Sequence, residues 1–524
     1  GFFMTVRNIT TDILVIGGGI NGVGIARDLA GRGASVVLCE QGDLASGTSS
    51  ASTKIIHGGL RYLEHFNFKL VREALIEREV LLRSAPHLIT PLDFVLPHNK
   101  KLRPYWMIRL GLFLYDYLGP RDVLPGSEGV NFKNHPTGHP LKDGCKRGVM
   151  YSDCWTDDSR LVITAAVDAR DRGAEILTRS RCKSVRKKRG SHVWRAMLED
   201  HITKRETFVD AKLVVNAAGP WVDQVIEGVD KGLADHHIRM VKGSHIIVPK
   251  MYEGNHAYIL QNTDKRIVFA IPYEGLYTLV GTTDVDYTGN PADAKINTDE
   301  VEYLCRVING YFKSQIKPAD VVWSYSGVRA LADDGKKNSA SQATRDYVLE
   351  MKEHAGLPIL SVYGGKLTTF RKLSEQAANL IMDKLGRKSD PWTEFAVLPG
   401  GNFKTYDFDM FFKTFCSEFE WLPKEIAMRY CQTYGTRARY FLRGARQISD
   451  LGEHLGGGIY EAEIAYLVLK EWATTMEDIL WRRSKWGLHI TQETEKNIAR
   501  ILRKYKKRFS TLDQDTPVKK AIQQ

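Results

Sequence analysis

No two of the seven cysteines stand at C-x-x-C spacing, and no His, Cys, Asp and Glu cluster shows metal-ligand spacing. That leaves no sequence basis for a zinc ribbon, a dithiol redox motif or an iron–sulfur centre, and no metal site is expected. The cysteines are scattered and odd in number, which favours a reducing compartment with thiols as small core residues. No stretch reaches 18 uncharged apolar residues, so no transmembrane helix is expected. There is no internal repeat and no cleavable signal pattern; residues 1–3, Gly-Phe-Phe before Met4, read as an appended segment and are set aside. What is present is a chain of 524 residues, too long for one core and expected to form two or three domains. Its 43% hydrophobic and 26% charged content is that of a soluble globular protein. The net charge of +12 is unevenly placed: residues 481–524 carry twelve Lys/Arg against four Asp/Glu. Such a tail suits an anionic membrane or nucleic acid, and equally a solvated helix face.

The chain is organised around residues 11–40, TDILVIGGGINGVGIARDLAGRGASVVLCE. A short apolar run at 13–16 leads into Gly17, Gly19 and Gly22 at G-x-G-x-x-G spacing. Residues 20–31 read as a helix, and a second apolar run at 35–39 ends at Glu40. This strand–turn–helix–strand unit, with an acid about 20 residues past the glycines, predicts dinucleotide binding. Gly17 permits the tight turn, Gly19 lets a pyrophosphate approach the backbone, and Gly22 lets helix and strand pack closely. The helix N-terminus offers N–H groups to phosphate, and Glu40 can accept from a ribose diol.

The hydroxyl-rich residues 41–54, QGDLASGTSSASTK, read as a loop wrapping phosphates, with Thr48, Ser49, Ser50 and Lys54 as candidate contacts. His57, Gly58, Gly59, Leu60, Arg61 and Tyr62 follow, then a helix over about 67–84. Paired glycines beside His and Arg mark a close backbone approach. Residues 104–118 are aromatic and apolar but too short to span a bilayer; a core helix is favoured over a substrate-domain wall or a membrane-facing patch. A buried strand at 212–215 runs into Asn216-Ala217-Ala218-Gly219-Pro220-Trp221, a second predicted contact with the dinucleotide. Residues 236–350 alternate with a period near two and predict a mainly antiparallel sheet with a helix near 298–313. His236, His237 and His245 lack partner spacing and read as satisfied structural histidines. A strand at 359–363 meets Gly364-Gly365, turning into a helix near Leu367 with Lys366, Thr368, Thr369 and Arg371 clustered; its N-terminus faces a ligand. From 406 to 509 the chain reads as helical, with no chemistry of its own.

The run TSSASTKIIHGGLRYLEH at 48–65 is similar to the FAD-dependent glycerol-3-phosphate dehydrogenases, the quinone-linked bacterial enzymes in particular. The similarity continues through LRPYWMIRLGLFLYD at 102–116, YSDCWTDDSRLV at 151–162, NAAGPWV at 216–222, KGSHIIVP at 242–249, GTTDVDY at 281–287, YSGVR at 325–329, TRDY at 344–347 and YGGKLTTFRK at 363–372. One departure is Ala330, where a proline is expected; it is expected to loosen the loop that aims Arg329.

The resemblance implies an α/β fold: a Rossmann-type FAD-binding domain of the glutathione-reductase-like flavoprotein kind, an antiparallel substrate domain and a C-terminal helical domain. The boundaries expected are 10–95, 150–235 and 345–388 for the first, 96–149 and 236–344 for the second, and 390–510 for the third. It implies that Arg61, Tyr62, Arg329, Arg345 and Lys366 surround a substrate phosphate, glycerol 3-phosphate. Gly17, Gly19, Gly22, Glu40, Thr48, Ser49, Ser50, Lys54, Gly58, Gly59, Leu60, Gly219, Gly365, Lys366, Leu367 and Thr368 are the expected FAD contacts. Oxidation would pass a hydride to FAD, with His57 the first choice of base and Arg329 polarising the developing ketone. Electrons would go to ubiquinone or menaquinone, with the enzyme, a homodimer, docked peripherally on the cytoplasmic face of an anionic membrane through its basic C-terminal region and aromatic stretches. An oxidase using O2 and releasing hydrogen peroxide is the rival reading. A flavin-containing RNA-binding protein is a remote one, resting only on the charge and on RKYKKRF at 503–509.

Overall fold

Strand Arg7–Ile16 is buried on both faces over its last four residues, with Ile13, Leu14 and Val15 wholly inaccessible, as befits the centre of a parallel sheet. The computed structural model describes residues 6–333 and 347–509. In it this strand pairs in parallel with Val36–Cys39 on one side and Glu206–Asn216 on the other. The sheet runs on through Leu357–Tyr363 to antiparallel Val348–His354, and at its other edge to Glu175–Leu177. An antiparallel excursion, Ser180–Lys187 and Trp194–Asp200, folds against Glu206–Asn216. The parallel strands all end along one edge, so Gly17, Glu40, Ala217 and Gly364 converge where such sheets bind ligands.

Helix Ile20–Gly31 covers one face, and its small residues let neighbours approach. A Cβ at Gly22 would stand 1.9 Å from the Gly17 carbonyl oxygen, and one at Gly24 would meet Ser374 Oγ at 2.4 Å. Helices Asp158–Asp171 and Phe370–Lys384 flank it, contributing Leu161, Ala165, Phe370 and Leu373 to a shared core.

A second, ten-stranded sheet is built largely from residues 237–333, but it also takes in Ile55–Ile56, Ile89–His98 and Arg147–Thr156. The last two cross the expected boundaries at 95 and 150. Pairing is antiparallel except between Ala257–Gln261 and Ile89–His98. Ala330 lies inside strand Trp323–Asp333, opposite Met240, not in a loop, so the ladder itself aims Arg329. Helix Thr298–Tyr311, opened by an Asn297–Glu300 capping box, packs on one face of this sheet.

The expectation that residues 104–118 form a core helix is overturned. Helix Tyr105–Tyr117 buries only Leu112 and Tyr115, and presents Trp106, Leu110, Phe113 and Tyr117 to solvent, 52–71% exposed. Their spacing places them on one face, opposite the one that meets the protein.

The helices from Phe408–Glu418 to Gln492–Phe509 enclose their own core, including Phe415, Tyr430, Tyr466, Ile501 and Tyr505. This region is not merely a pendant. Arg160 donates to both carboxylate oxygens of Glu471, and Arg483 to both of Asp43. Nor is its basic charge all free: Arg482 and Arg483 are buried on Asp43, while Arg500 and Lys504 pair with Glu453 and Glu461.

Candidate active site

A cavity of about 660 Å³ runs along the carboxyl edge of the parallel sheet and across to the second sheet. At one end it is walled by Cys39, Glu40, residues 180–186 and Val225; at the centre by residues 16–21, 46–49 and 217–221. Gly17 takes φ +120°, and a Cβ there would lie 2.1 Å from the Ala217 carbonyl oxygen. Only glycine makes this turn. The Glu40 carboxylate accepts from Gly18 N–H at 3.0 Å and Gly42 N–H at 2.6 Å; burial raises its pKa against those bonds. Ser49 Oγ accepts from Ile20 N–H at 3.0 Å and so caps the helix beside the phosphate-sized space. Lys54 is held by Asp158 at 2.7 Å and lies 5.1 Å from the Tyr325 ring. Burial alone would raise Asp158, but Lys54 and Lys485, with Ser52 donating, keep it below the usual range.

The far end is lined by His57, Tyr62, His245, Phe269, Thr282, Arg329 and residues 364–368. Arg329 Nη2 donates to Thr283 O at 2.9 Å and to the Asp284 carboxylate. Gly243 leaves it room: a Cβ there would stand 2.9 Å from Thr282 Oγ1 and 3.1 Å from Arg329 Nη2. The Lys366 ammonium lies 5.1 Å from the Tyr62 ring. His57 is fixed through its backbone, which donates to Thr368 Oγ1 at 3.2 Å, and its Nδ1 accepts from Gly59 N–H at 3.2 Å. That bond leaves the neutral ring's proton on Nε2, so His57 presents a donor.

His245 corrects the expectation of a satisfied structural histidine. It is 2% exposed, stacks on Tyr325 at 4.8 Å between ring centroids, and meets Thr53 Oγ1 at 2.9 Å through Nε2. Its buried Nδ1 has no hydrogen-bond partner among the described residues. Burial, then the positive charges of Lys54 and Arg329, push its pKa down to about 3, so the ring is neutral.

The family model described as FAD dependent oxidoreductase matches residues 12–371, and that of the C-terminal domain of alpha-glycerophosphate oxidase matches 391–515. The glycerol-3-phosphate dehydrogenase of Pseudomonas aeruginosa is 51% identical over 94% of each chain. The aerobic glycerol-3-phosphate dehydrogenase of Escherichia coli is 47% identical over 95% of this chain and 98% of that one. The D-erythritol 1-phosphate dehydrogenase of Brucella abortus is 49% identical over 92% of this chain and 96% of its own. The chain belongs to the FAD-dependent glycerol-3-phosphate dehydrogenase family. Its fold matches the glycerol-3-phosphate dehydrogenase of Bacillus halodurans complexed with FAD, with TM-score 0.76 and 26% identity over 98% of this chain and 94% of that one.

FAD fits the cavity of this flavoprotein. The glycine turn, closed to any side chain at 17 by the Ala217 carbonyl, brings bare backbone to the cavity wall, Gly219 faces open space, and Glu40 stands at the sugar end of an elongated slot. Of the residues marked in the sequence, Gly17, Gly19, Glu40, Thr48, Ser49, Lys54, His57, Tyr62, Gly219, Arg329 and residues 365–368 share this one wall. Others do not reach it. Gly22 serves the turn from behind, and Gly58 N–H donates to Tyr115 Oη at 2.8 Å. Gly59 makes its turn at φ +72°, Leu60 packs with the second sheet's core, and neither they nor Ser50 and Arg61 line the cavity. Arg345 lies outside the described residues. Gly243, Thr282 and Phe269 were not singled out and His245 was given only a structural part; the KGSH and GTTD motifs marked the segments of Gly243, His245 and Thr282 but not these side chains.

Proposed function

We propose that this flavoenzyme oxidises sn-glycerol 3-phosphate to dihydroxyacetone phosphate and passes the electrons to a membrane quinone. The observation that carries the reading is the meeting of Arg329, Lys366, Tyr62, His57 and His245 on one wall at the end of the cofactor slot. Glycines 17, 19, 219 and 365, with Glu40, Thr48, Ser49 and Thr368, hold FAD, which supplies a hydride acceptor when bound. Arg329 and Lys366, a planar fork and a point charge, bind the phosphate or polarise the oxygen that becomes a ketone. With its Nε2–H donating to Thr53 Oγ1, His245 takes the hydroxyl proton at Nδ1, the nitrogen with no partner among the described residues; His57, holding its proton on Nε2, donates a hydrogen bond and orients the substrate. Burial, and then the nearby Lys54 and Arg329 charges, makes His245 a weak base, so proton transfer runs together with loss of the hydride.

The quinone reading is supported by helix Tyr105–Tyr117. Its inward Tyr115 holds Gly58, next to His57, while Trp106, Leu110, Phe113 and Tyr117 form an outward stripe. Lys100, Lys101, Arg103 and Arg109 stand at or beside it, and no helix among the described residues is long and apolar enough to cross a membrane. Such a face suits insertion into one leaflet.

The test is an anaerobic titration of the holoenzyme with glycerol 3-phosphate, in parallel with D-erythritol 1-phosphate, which carries one further hydroxymethine group. Bleaching of the flavin by glycerol 3-phosphate at the lower concentration supports the substrate; preferential bleaching by the longer phosphate transfers the assignment. Reoxidation by quinone faster than by air supports the dehydrogenase, and the reverse supports the oxidase.

A further inference from the structure

Cys39 closes strand Val36–Cys39 and is 1% exposed; Cys182 lies on strand Ser180–Lys187 and is half-buried. Both line the cofactor cavity, at the end where Glu40 stands. The two segments are already knitted together, since Glu40 N–H donates to Leu177 O at 2.9 Å and Ser180 N–H to Glu40 O at 2.7 Å. Cys182 packs against the hydrophobic cluster that contains Cys39. We propose that Cys39 and Cys182 are an oxidisable thiol pair on the cofactor wall, which a hydroperoxide converts to a disulfide.

The facing Cys182 side chain, with burial, pushes the Cys39 thiol well above its usual range, so Cys39 is not the first thiol to react. Cys182, reachable from the cavity, attacks the peroxide as its thiolate. The O–O bond breaks, Cys182 becomes a sulfenic acid, and the departing hydroxide leaves as water after taking a proton. The Cys39 sulfur then attacks the Cys182 sulfur; the S–O bond breaks and the hydroxide leaves as a second water with the Cys39 proton. Two thiols are oxidised and one peroxide is reduced. A disulfide needs a short Cα separation, and the backbone bonds of Glu40 to Leu177 and Ser180 hold the two segments side by side. In a reducing compartment the bond is transient, a sensor and not a staple. Closing it draws the end of the strand that carries Glu40 toward Ser180–Lys187.

The experiment treats holoenzyme with graded hydrogen peroxide, blocks remaining thiols under denaturing conditions and maps unreduced peptides by mass spectrometry. The expected result is a Cys39 peptide joined to a Cys182 peptide, released by dithiothreitol. In Cys39→Ser, Cys182 is expected to be trapped by dimedone as the sulfenic acid; in Cys182→Ser, Cys39 is expected to stay a thiol. Cys182 found over-oxidised beside an intact Cys39 thiol would overturn the proposal. So would both thiols surviving peroxide that oxidises methionines in the same sample.

Discussion

Arg483 donates to both oxygens of the Asp43 carboxylate, 2.8 Å from Nη1 to Oδ2 and 2.7 Å from Nη2 to Oδ1, and neither side chain is exposed at all. Asp43 stands three residues past Glu40, in a loop whose Ala45 N–H returns to the Gly18 carbonyl at 3.0 Å. The C-terminal helical region therefore grips the glycine turn from outside. Removing one partner leaves a buried charge short of its fork, at a cost of about 3 kcal/mol even with Arg482 still in place. Arg483→Met is expected to lower the melting temperature and to raise the free FAD recovered by ultrafiltration. A variant with unchanged melting and unchanged FAD retention would show that the grip is incidental.

His87 is 4% exposed, and burial, then the charge of Arg160, push its pKa down to about 3. The unfolded ring titrates near about 6.5. Between those values the unfolded chain binds the proton and the folded one does not, so stability falls as pH drops through 6.5 and goes on falling to about 3. At pH 5 the loss is about 2 kcal/mol for this residue. Urea midpoints at pH 7 and pH 5 check it: His87→Gln is expected to lose less stability than the parent between the two, by about that amount.

Gly243 faces Arg329 across a gap that a methyl group would close. Gly243→Ala is expected to push the guanidinium off its Thr283 and Asp284 contacts and lower kcat/KM by roughly 100-fold, since small misplacements of a clamp are costly. FAD retention should be unaltered, because position 243 lies at the far end of the slot from the glycine turn and Glu40. Normal kcat/KM in this variant would detach Arg329 from the substrate.

His245→Asn and His57→Asn separate the two histidines. If His245 takes the proton, its loss lowers the rate of flavin reduction by about 10² to 10⁴. His57→Asn keeps a donor and is expected to cost less, mostly in KM. Stopped-flow reduction at saturating substrate decides, and a larger defect in His57→Asn would restore His57 as the base.

The cofactor half of the site was legible because its parts are neighbours in the chain: Gly17, Gly19, Gly22 and Glu40 sit in one stretch and each has a task set by backbone geometry. His245 was not. A lone histidine in HIIVP acquires meaning only from Thr53, Tyr325 and Arg329, which three other segments bring to it. Asp43 and Arg483 are separated by 440 positions, and nothing local in either predicts the other. The buried pairing of Arg482 and Arg483 also shows why net charge misleads: a count of basic residues does not say which ones have already found a carboxylate.

Helix Tyr105–Tyr117 was misread for a different reason. Apolar content says that a face avoids water but not what covers it, and here the protein fully buries only Leu112 and Tyr115. If a lipid surface covers the other face, removing two of its side chains forfeits a few kcal/mol of apolar burial, and each factor of ten in partitioning is about 1.4 kcal/mol. Leu110→Asp with Phe113→Asp is therefore expected to lower binding to anionic vesicles by at least about tenfold in co-sedimentation, and reduction of a long-chain quinone in those vesicles with it. Flavin bleaching by substrate in solution should persist, since neither residue lines the cavity. Replacing Arg500 and Lys504 should leave vesicle binding nearly unchanged, because Glu453 and Glu461 already hold them. The opposite ranking, with the C-terminal pair dominant and the helix silent, would move the membrane face to the far end of the molecule.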